Sequence, residues 1–379
     1  MKLTVNTPEG TRDRLFAECQ ERRQVQQRLT RLFRQRGFLE GSTRETEYFD
    51  LFGHSGCAIP QERMLKVSDP SGKICVMRPD STTPIARVAA TKLKTLTLPQ
   101  RLYYEQTVYR DNPAHNGGSR EIAQCGVELI GAVGRKADLE MLAGAIDALR
   151  SCGASVFHVE LGHVDFFREL AARLELEETE SLRQLVEGKN FAALHSFLEP
   201  YRENPACAVL ERLSRLFGGP EVLDEAEKLA GRTLSIDYLR QLYDELSAAG
   251  YGAYVRFDLG MVHQIDYYTG VVFRGYVEGA GDAVLSGGRY DNLVGVFGRE
   301  AQAIGFSVDV DAMARTLPQT QLPKLRTVVH YEPGYLSQAL EAVDGAPAGT
   351  CELSPCRTLA SSLNLAQEKA AQHVQLLDK

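Results

Sequence analysis

The period of apolar and polar positions changes several times along this chain, and the changes mark its elements. Between 15 and 36, Leu15, Val25, Leu29, Leu32 and Phe33 line one face at helical spacing, and Gly37 stands where a helix would stop. Residues 62–68 and 73–78 read as two short strands around the turn Asp69-Pro70-Ser71-Gly72, a hairpin signal. A helix is predicted over 85–94, after Arg78-Pro79-Asp80-Ser81-Thr82-Thr83-Pro84. Asp80 and Thr82 fall in that strand-to-helix loop, where they serve either to present binding groups or to cap the helix. Strands follow at 100–110 and 121–130, joined by a polar loop, then a helix at 136–149 and a strand at 155–161. On the second strand of that pair, Gln124, Gly126 and Glu128 share a face by the period of two. A carboxylate and an amide facing the same way inside an apolar strand each need a partner.

Residues 164–249 change character: periodic apolar runs predict about five helices and no convincing strand. The sheet resumes at 254–259. It continues through an apolar strand preceded by Ile265-Asp266-Tyr267-Tyr268-Thr269-Gly270, then 282–285, 286–291 and 303–308, with a helix near 311–315. From about 322 the chain reads β, α, β, α. The organisation expected is a sheet core from 1–163 and 250–320, a helical insertion at 164–249, and a short C-terminal α/β unit at 321–379.

Composition narrows this picture only a little. At 379 residues the chain exceeds one ordinary core, and its net charge of −7 argues against a general nucleic-acid or membrane binder. A local basic face stays open; arginines 22, 23, 28, 31, 34 and 36 are diluted by Glu18, Glu21 and glutamines and read as a solvated helix face. The eight cysteines form no C-x-x-C pair, so no metal site is expected. The N-terminal segment lacks an apolar signal core and no run of 18 apolar residues occurs, which points to the cytoplasm and away from a membrane. His54, His158 and His163 read as structural or surface residues.

Five short motifs, in order, carry a resemblance. Arg78-Pro79-Asp80-Ser81-Thr82, Tyr109-Arg110, Gln124-Cys125-Gly126-Val127-Glu128, Asp266-Tyr267-Tyr268-Thr269-Gly270 and Gly287-Gly288-Arg289-Tyr290-Asp291 resemble the histidyl-tRNA synthetase catalytic core over about 7–315. The resemblance implies an α+β, class II aminoacyl-tRNA synthetase-like antiparallel sheet with flanking helices, in a dimer. It also implies a histidine pocket. Asp80 (Asp where the synthetase has Glu), Thr82 and Gln124 match the contacts to the α-amino group, and Glu128 and Tyr268 match the imidazole readers. Arg110 keeps the arginine of the second class II motif, and Tyr267 and Arg289 are wall and support residues. A carboxylate with neutral acceptors suits an ammonium, and buried polar groups would reject amino acids that leave them unpaired.

Departures from the pattern redirect the function. The arginine expected before the Tyr-Tyr motif is His263 and the following glycine is Gln264. The third class II motif reads Asp309-Val310-Asp311-Ala312 and lacks its arginine, and Asn112, Gly118 and Ile122 replace a glutamate, an arginine and the adenine-stacking Phe. Arg44 stands where the first motif has Pro. Adenylation needs fixed positive charge on the α-phosphate, which a neutral imidazole does not supply. The pattern resembles the ATP phosphoribosyltransferase regulatory subunits (the HisZ family), paralogues of the synthetase. That resemblance implies no catalytic residues or cofactor of its own and L-histidine as ligand. It further implies a short-form catalytic subunit as partner within a hetero-octamer, feedback regulation by histidine, and no tRNA. The alternatives are an active histidyl-tRNA synthetase and a synthetase-like accessory protein; pyrophosphate exchange marks the first, and absence of the phosphoribosyltransferase partner the second.

Overall fold

The computed structural model describes residues 5–53, 59–111, 119–176, 179–262 and 268–378. Two compact units are present, Met1–Arg14 with Cys19–Pro318, and Leu15–Glu18 with Gln319–Lys379. No helix among the described residues is long and apolar enough to cross a membrane, and none of their His, Cys, Asp and Glu side chains group as a metal site.

In the larger unit, helix α1 (Ala17–Gln35) buries Val25, Leu29 and Phe33. It ends at Gly37, whose φ of +78° is open to glycine at little cost. The arginines of this helix are not simply solvated. Arg28 donates to the Cys152 carbonyl at 2.5 Å, Arg34 to the Tyr103 hydroxyl at 2.7 Å, and Arg36 pairs with Asp147. Their heads are tied to neighbouring elements.

A short edge strand β1 (Leu39–Glu40) is followed by the small sheet of β2 (Thr46–Tyr48), β3 (Lys66–Ser68) and β4 (Ile74–Met77). The turn at 69–72 closes as its residues require, with Asp69 Oδ1 accepting from the Ser71 and Lys73 amides. The strand expected from 62 starts later, because Gln61–Arg63 form a 3₁₀ turn in which the Arg63 amide bonds the Pro60 carbonyl. Helix α2 (Thr82–Ala90) begins earlier and ends sooner than the 85–94 expected. Pro84 sits in its first turn, where amides have no intrahelical acceptor, so the missing N–H costs nothing.

The main sheet then builds on β5 (Gln100–Tyr109) and β6 (Glu121–Ile130), backed by α3 (Arg135–Cys152), with β7 (Phe157–His163) further along. Helix α3 starts at Gly134 without a side-chain cap, so burial of Met141, Leu142, Ile146 and Leu149 holds it. Each such side chain contributes about 1.5–3 kcal/mol, so the four together far exceed what a cap supplies. Among its described residues the next segment holds six α-helices: α4 (Val164–Ala172), α5 (Glu180–Glu187), α6 (Phe191–Leu198), α7 (Pro205–Arg212), α8 (Glu221–Ala230) and α9 (Leu234–Ala248). A two-residue strand β8 (Phe217–Gly218), too short to leave an alternating signature, also lies there. The buried faces of these helices join the same apolar core as the sheet. Strands β9 (Val255–Asp258), β10 (Val271–Val277), β11 (Leu285–Arg289) and β12 (Ala303–Asp309) complete the sheet, and α10 (Val310–Arg315) follows. The two strands expected at 282–285 and 286–291 are the single strand β11.

Among the described residues the sheet has nine strands in the order β1-β5-β6-β12-β11-β10-β7-β9-β8. Pairing is antiparallel from β5 through β7, while β1–β5 and β7–β9 are parallel. One face, with Tyr103, Val127, Leu129, Phe273 and Phe306, packs with α1 and α3 residues into the large core. The other, with Tyr104, Ile130, Val272 and Tyr290, packs on Ile85, Ala86 and Ala89 of α2. The candidate site lies on this second face.

The smaller unit is a parallel sheet in the order β14-β13-β15, built from β13 (Thr327–Tyr331), β14 (Cys351–Leu353) and β15 (His373–Leu377) with α11 (Leu336–Asp344) and α12 (Leu359–Glu368). The third strand is an addition to the β, α, β, α expected. Its buried His330 shares a hydroxyl chain with Ser362 and Ser354, at 2.8 and 2.6 Å.

Candidate functional site

Arg78 fixes the entrance to α2. Buried at 2% exposure, it donates to the Thr43, Arg44 and Thr107 carbonyls at 3.0, 2.7 and 2.8 Å. Its task at residue 44 needs only a backbone carbonyl, so Arg44 serves there as well as any residue would. The loop so pinned presents Asp80 and Thr82. Asp80 Oδ2 accepts from the Thr83 amide at 2.8 Å and hydroxyl at 2.7 Å, which caps the helix. The same carboxylate lines a cavity of about 370 Å³. Capping and presentation are therefore both true of Asp80.

Strand β6 brings the second carboxylate. Pleating turns Val127 and Leu129 into the large core and Glu128 to the opposite face, where it is 1% exposed. Thr82 Oγ1 donates to Glu128 Oε1 at 2.8 Å and the Tyr290 hydroxyl to Oε2 at 2.6 Å. Burial nevertheless pushes its carboxyl up to about 8; the two hydrogen bonds oppose the rise and the neighbouring charge of Asp80 adds to it. Directly opposite on β12 is Gly305. A Cβ there would collide with Glu128 Oε2 and stand 2.5 Å from the Val127 carbonyl oxygen. Glycine at 305 is thus what leaves room for the carboxylate.

The remaining walls come from the β10–β11 side. Tyr268, 7% exposed, lays its ring over Gly288, where a Cβ would approach its Cε1 to 2.7 Å. Arg110 enters from the end of β5, its Nε donating to the Pro79 carbonyl at 2.6 Å. The cavity thus gathers Asp80, Thr82, Arg110, Gln124, Glu128 and Tyr268. Tyr267, like Asp266, His263 and Gln264, lies outside the described residues, as do Asn112 and Gly118. Ile122 is on β6, and Ala312 donates its amide to Asp309 at the start of α10.

Arg289 supports the site from below. Its guanidinium pairs with Asp138 on α3 and with Asp291 at 3.2 Å, and Asp138 also accepts from Tyr238 of α9 at 2.5 Å. The glycine-rich motif thereby ties the sheet to a helix of the 164–249 segment. His163 caps α4 by accepting the Asp165 amide, and His158 bonds Glu160 at 3.2 Å.

Sequence reasoning missed Tyr290, Arg274, Tyr104 and Ser307, which also line the cavity. The signal was present for two of them. Alternation from Gly288 puts Tyr290 on its face, and alternation from Val272 does the same for Arg274. A larger cavity of about 760 Å³ adjoins on the same sheet face, lined by Glu160, Glu187, Lys189, Asp258 and Tyr276, and it shares Arg274. The smaller one has the denser set of convergent, buried polar groups, which is the mark of a site that reads a small ligand.

Known proteins resemble the chain at several levels. The family model described as histidyl-tRNA synthetase matches residues 10–313. A protein of Clostridium kluyveri described as an ATP phosphoribosyltransferase regulatory subunit is 42% identical, covering 82% of this chain and 81% of its own. One of the same description from Clostridium novyi is 36% identical over 100% of this chain and 93% of its own. Among solved structures, an ATP phosphoribosyltransferase regulatory subunit/histidyl-tRNA synthetase from Bacillus halodurans superposes with a TM-score of 0.87 at 30% identity, covering 100% of this chain and 99% of its own. A histidyl-tRNA synthetase from a Nostoc species superposes at 0.76 and 19% identity, over 97% and 90%, and shares the class II fold.

Proposed function

The chain belongs to the ATP phosphoribosyltransferase regulatory subunits built on the histidyl-tRNA synthetase fold, and from that membership we propose that it senses histidine for a separate catalytic chain. That partner is a short-form phosphoribosyltransferase subunit, which condenses ATP with phosphoribosyl pyrophosphate at the head of histidine biosynthesis. Two copies of this chain pair with each other inside a cytoplasmic hetero-octamer. The complex needs this chain for activity and loses activity when histidine binds. Histidine acts by binding one arrangement of the complex more tightly than another, since a ligand of equal affinity shifts nothing.

The observation that carries the reading is Glu128, buried, held by Thr82 and Tyr290, and elevated to about 8. The ligand's ammonium meets Asp80, Thr82 and Gln124, and its imidazole meets Glu128 and Tyr268, with Tyr267 as a wall. Arg110 supplies positive charge at the Asp80 side. Adenylation does not follow, because its charge-neutralising arginines are replaced by His263 and Ala312 and its adenine shelf by Ile122. No tRNA is handled. Histidine-dependent exchange of pyrophosphate into ATP by the purified chain would sink this reading; none is expected.

The elevated carboxyl has a measurable consequence. A neutral imidazole and a protonated Glu128 together carry one proton, and their complex keeps one as an imidazolium–carboxylate pair. Between about 6.5, the ordinary imidazole value, and about 8 for Glu128, binding exchanges no proton. Below that window the ligand brings a second proton that must leave. Above it both partners are deprotonated and one proton must be taken up. Affinity is therefore expected to be flat across the window and to fall about tenfold per pH unit on either side. Calorimetry in buffers of different ionisation heat counts these protons directly. Net uptake at pH 7.2 would show that Glu128 is ionised in the empty pocket.

A further inference from the structure

An amino acid at this site needs a cation for its carboxylate, and the position where related synthetases carry one is His263 here. The sheet offers a different candidate. One cross-strand row on the cavity floor runs Tyr104, Gly126, Ser307, Ser286, Arg274. The end of the Tyr104 ring lies over Gly126, and beyond it only Ser307 and Ser286 stand before Arg274, so the row forms a short trough with a guanidinium-bearing residue at one end. The Asp80 end is already defined, because Thr82 reaches Glu128 on β6 and Arg110 bonds Pro79, the neighbour of Asp80. A carboxylate on the same carbon as an ammonium held there is repelled by Asp80 and turns away along the trough. From the column of Ser307 to that of Arg274 is two strand spacings, roughly 10 Å. A long side chain from one side and a small ligand from the other close that gap. Arg274 forms no ion pair among the described residues; it shares a hydrogen bond with Tyr276 and stands in the field of Glu160, Glu187 and Asp258 across the wall it shares with the larger cavity.

We propose that Arg274 reads the carboxylate of the bound amino acid and so separates free histidine from imidazole amines that lack that group. The proposal rests on the histidine reading of the pocket. Its test is calorimetry on the full chain with L-histidine and with histamine, for the unmodified protein, Arg274→Gln and Arg274→Lys. The unmodified chain is expected to prefer histidine by about 10- to 100-fold, the scale of a charge-assisted hydrogen-bond pair. Arg274→Gln brings histidine down to the histamine level and leaves histamine where it was, which also certifies a folded pocket. Arg274→Lys restores part of the preference, a point charge lacking the planar fork. Equal loss of both ligands, or no loss of either, overturns the role of Arg274 and leaves the pocket reading standing. Failure of the unmodified chain to bind histidine overturns both. If the Gln variant does not fold, the Lys variant decides: a histidine preference unchanged from the unmodified chain overturns the fork, and a reduced one supports it.

Discussion

Glu128→Gln is expected to weaken histidine binding about 100-fold while making the empty protein no less stable at pH 8. The loss of affinity follows from removing the acidic partner of the imidazole, a charge-assisted bond whose absence costs about 1.5–3 kcal/mol. The stability half comes from the sign of the shift. Glu128 is elevated from an ordinary 4.5 to about 8. The folded chain therefore keeps a proton that the unfolded chain releases, and folding is opposed progressively as pH rises from about 4.5 to about 8. Glutamine has no such titration. It also keeps the volume, and because Thr82 and Tyr290 both present hydroxyls, one of them turns to accept from the new amide. Other buried carboxyls, Asp138, Asp258 and Asp309 among them, are raised by burial as well. The quantity to measure is accordingly the difference between the two proteins in chemical denaturation at pH 5 and pH 8. It should move in favour of the variant at the higher pH, by on the order of a few kcal/mol at most. An unchanged difference would mean that Glu128 is not elevated; unchanged histidine affinity would remove it from the pocket.

Gly305→Ala is expected to cost about 3 kcal/mol or more and to destroy the site at the same time. The added methyl meets Glu128 Oε2, the end of a side chain that two hydroxyls hold in place, and stands 2.5 Å from the Val127 carbonyl, which is backbone. A flexible tip alone would swing aside, but the carbonyl belongs to the pairing of β6 with β12, in which Gly305 lies opposite Glu128. Relief requires that the two strands part. Restricting the unfolded chain by replacing glycine returns only about 0.4–1 kcal/mol, too little to compensate. A drop in the denaturation midpoint together with loss of histidine binding is the expected outcome. A variant as stable as its parent and still able to bind histidine would show that Glu128 does not occupy this space.

Much of the fold was legible because it is local. The strand 121–130, the turn at 69–72 and the stop at Gly37 each depend on a few neighbouring residues, and each is where the pattern puts it. The family motifs, with their order, led to the class II fold and to a cavity holding six of the seven residues expected there. What escaped the sequence depends on register across the sheet. Tyr290 reaches Glu128 across 162 positions of chain, and Arg274 becomes a wall residue only through the row it shares with Ser286, Ser307 and Gly126. The arginines of α1 looked solvated because their acceptors, the Cys152 carbonyl, Tyr103 and Asp147, lie on other elements. Asp80 looked like a choice between cap and ligand contact, and its Oδ2 caps the helix while the carboxylate lines the cavity. The exchange of an arginine for His263 works the other way. It is visible in the sequence, falls outside the described residues, and contributes to the functional reading only as chemistry.

The account turns on whether histidine entering this pocket governs a partner's reaction. The direct measurement is phosphoribosyl transfer to ATP by a short-form catalytic subunit, titrated with histidine in the presence of the unmodified chain or of Glu128→Gln. The expected result is that both chains raise the partner's activity, that histidine inhibits the complex with the unmodified chain, and that about 100-fold more histidine is needed with the variant. Activity independent of either chain, or inhibition at the same histidine concentration with both, would contradict it.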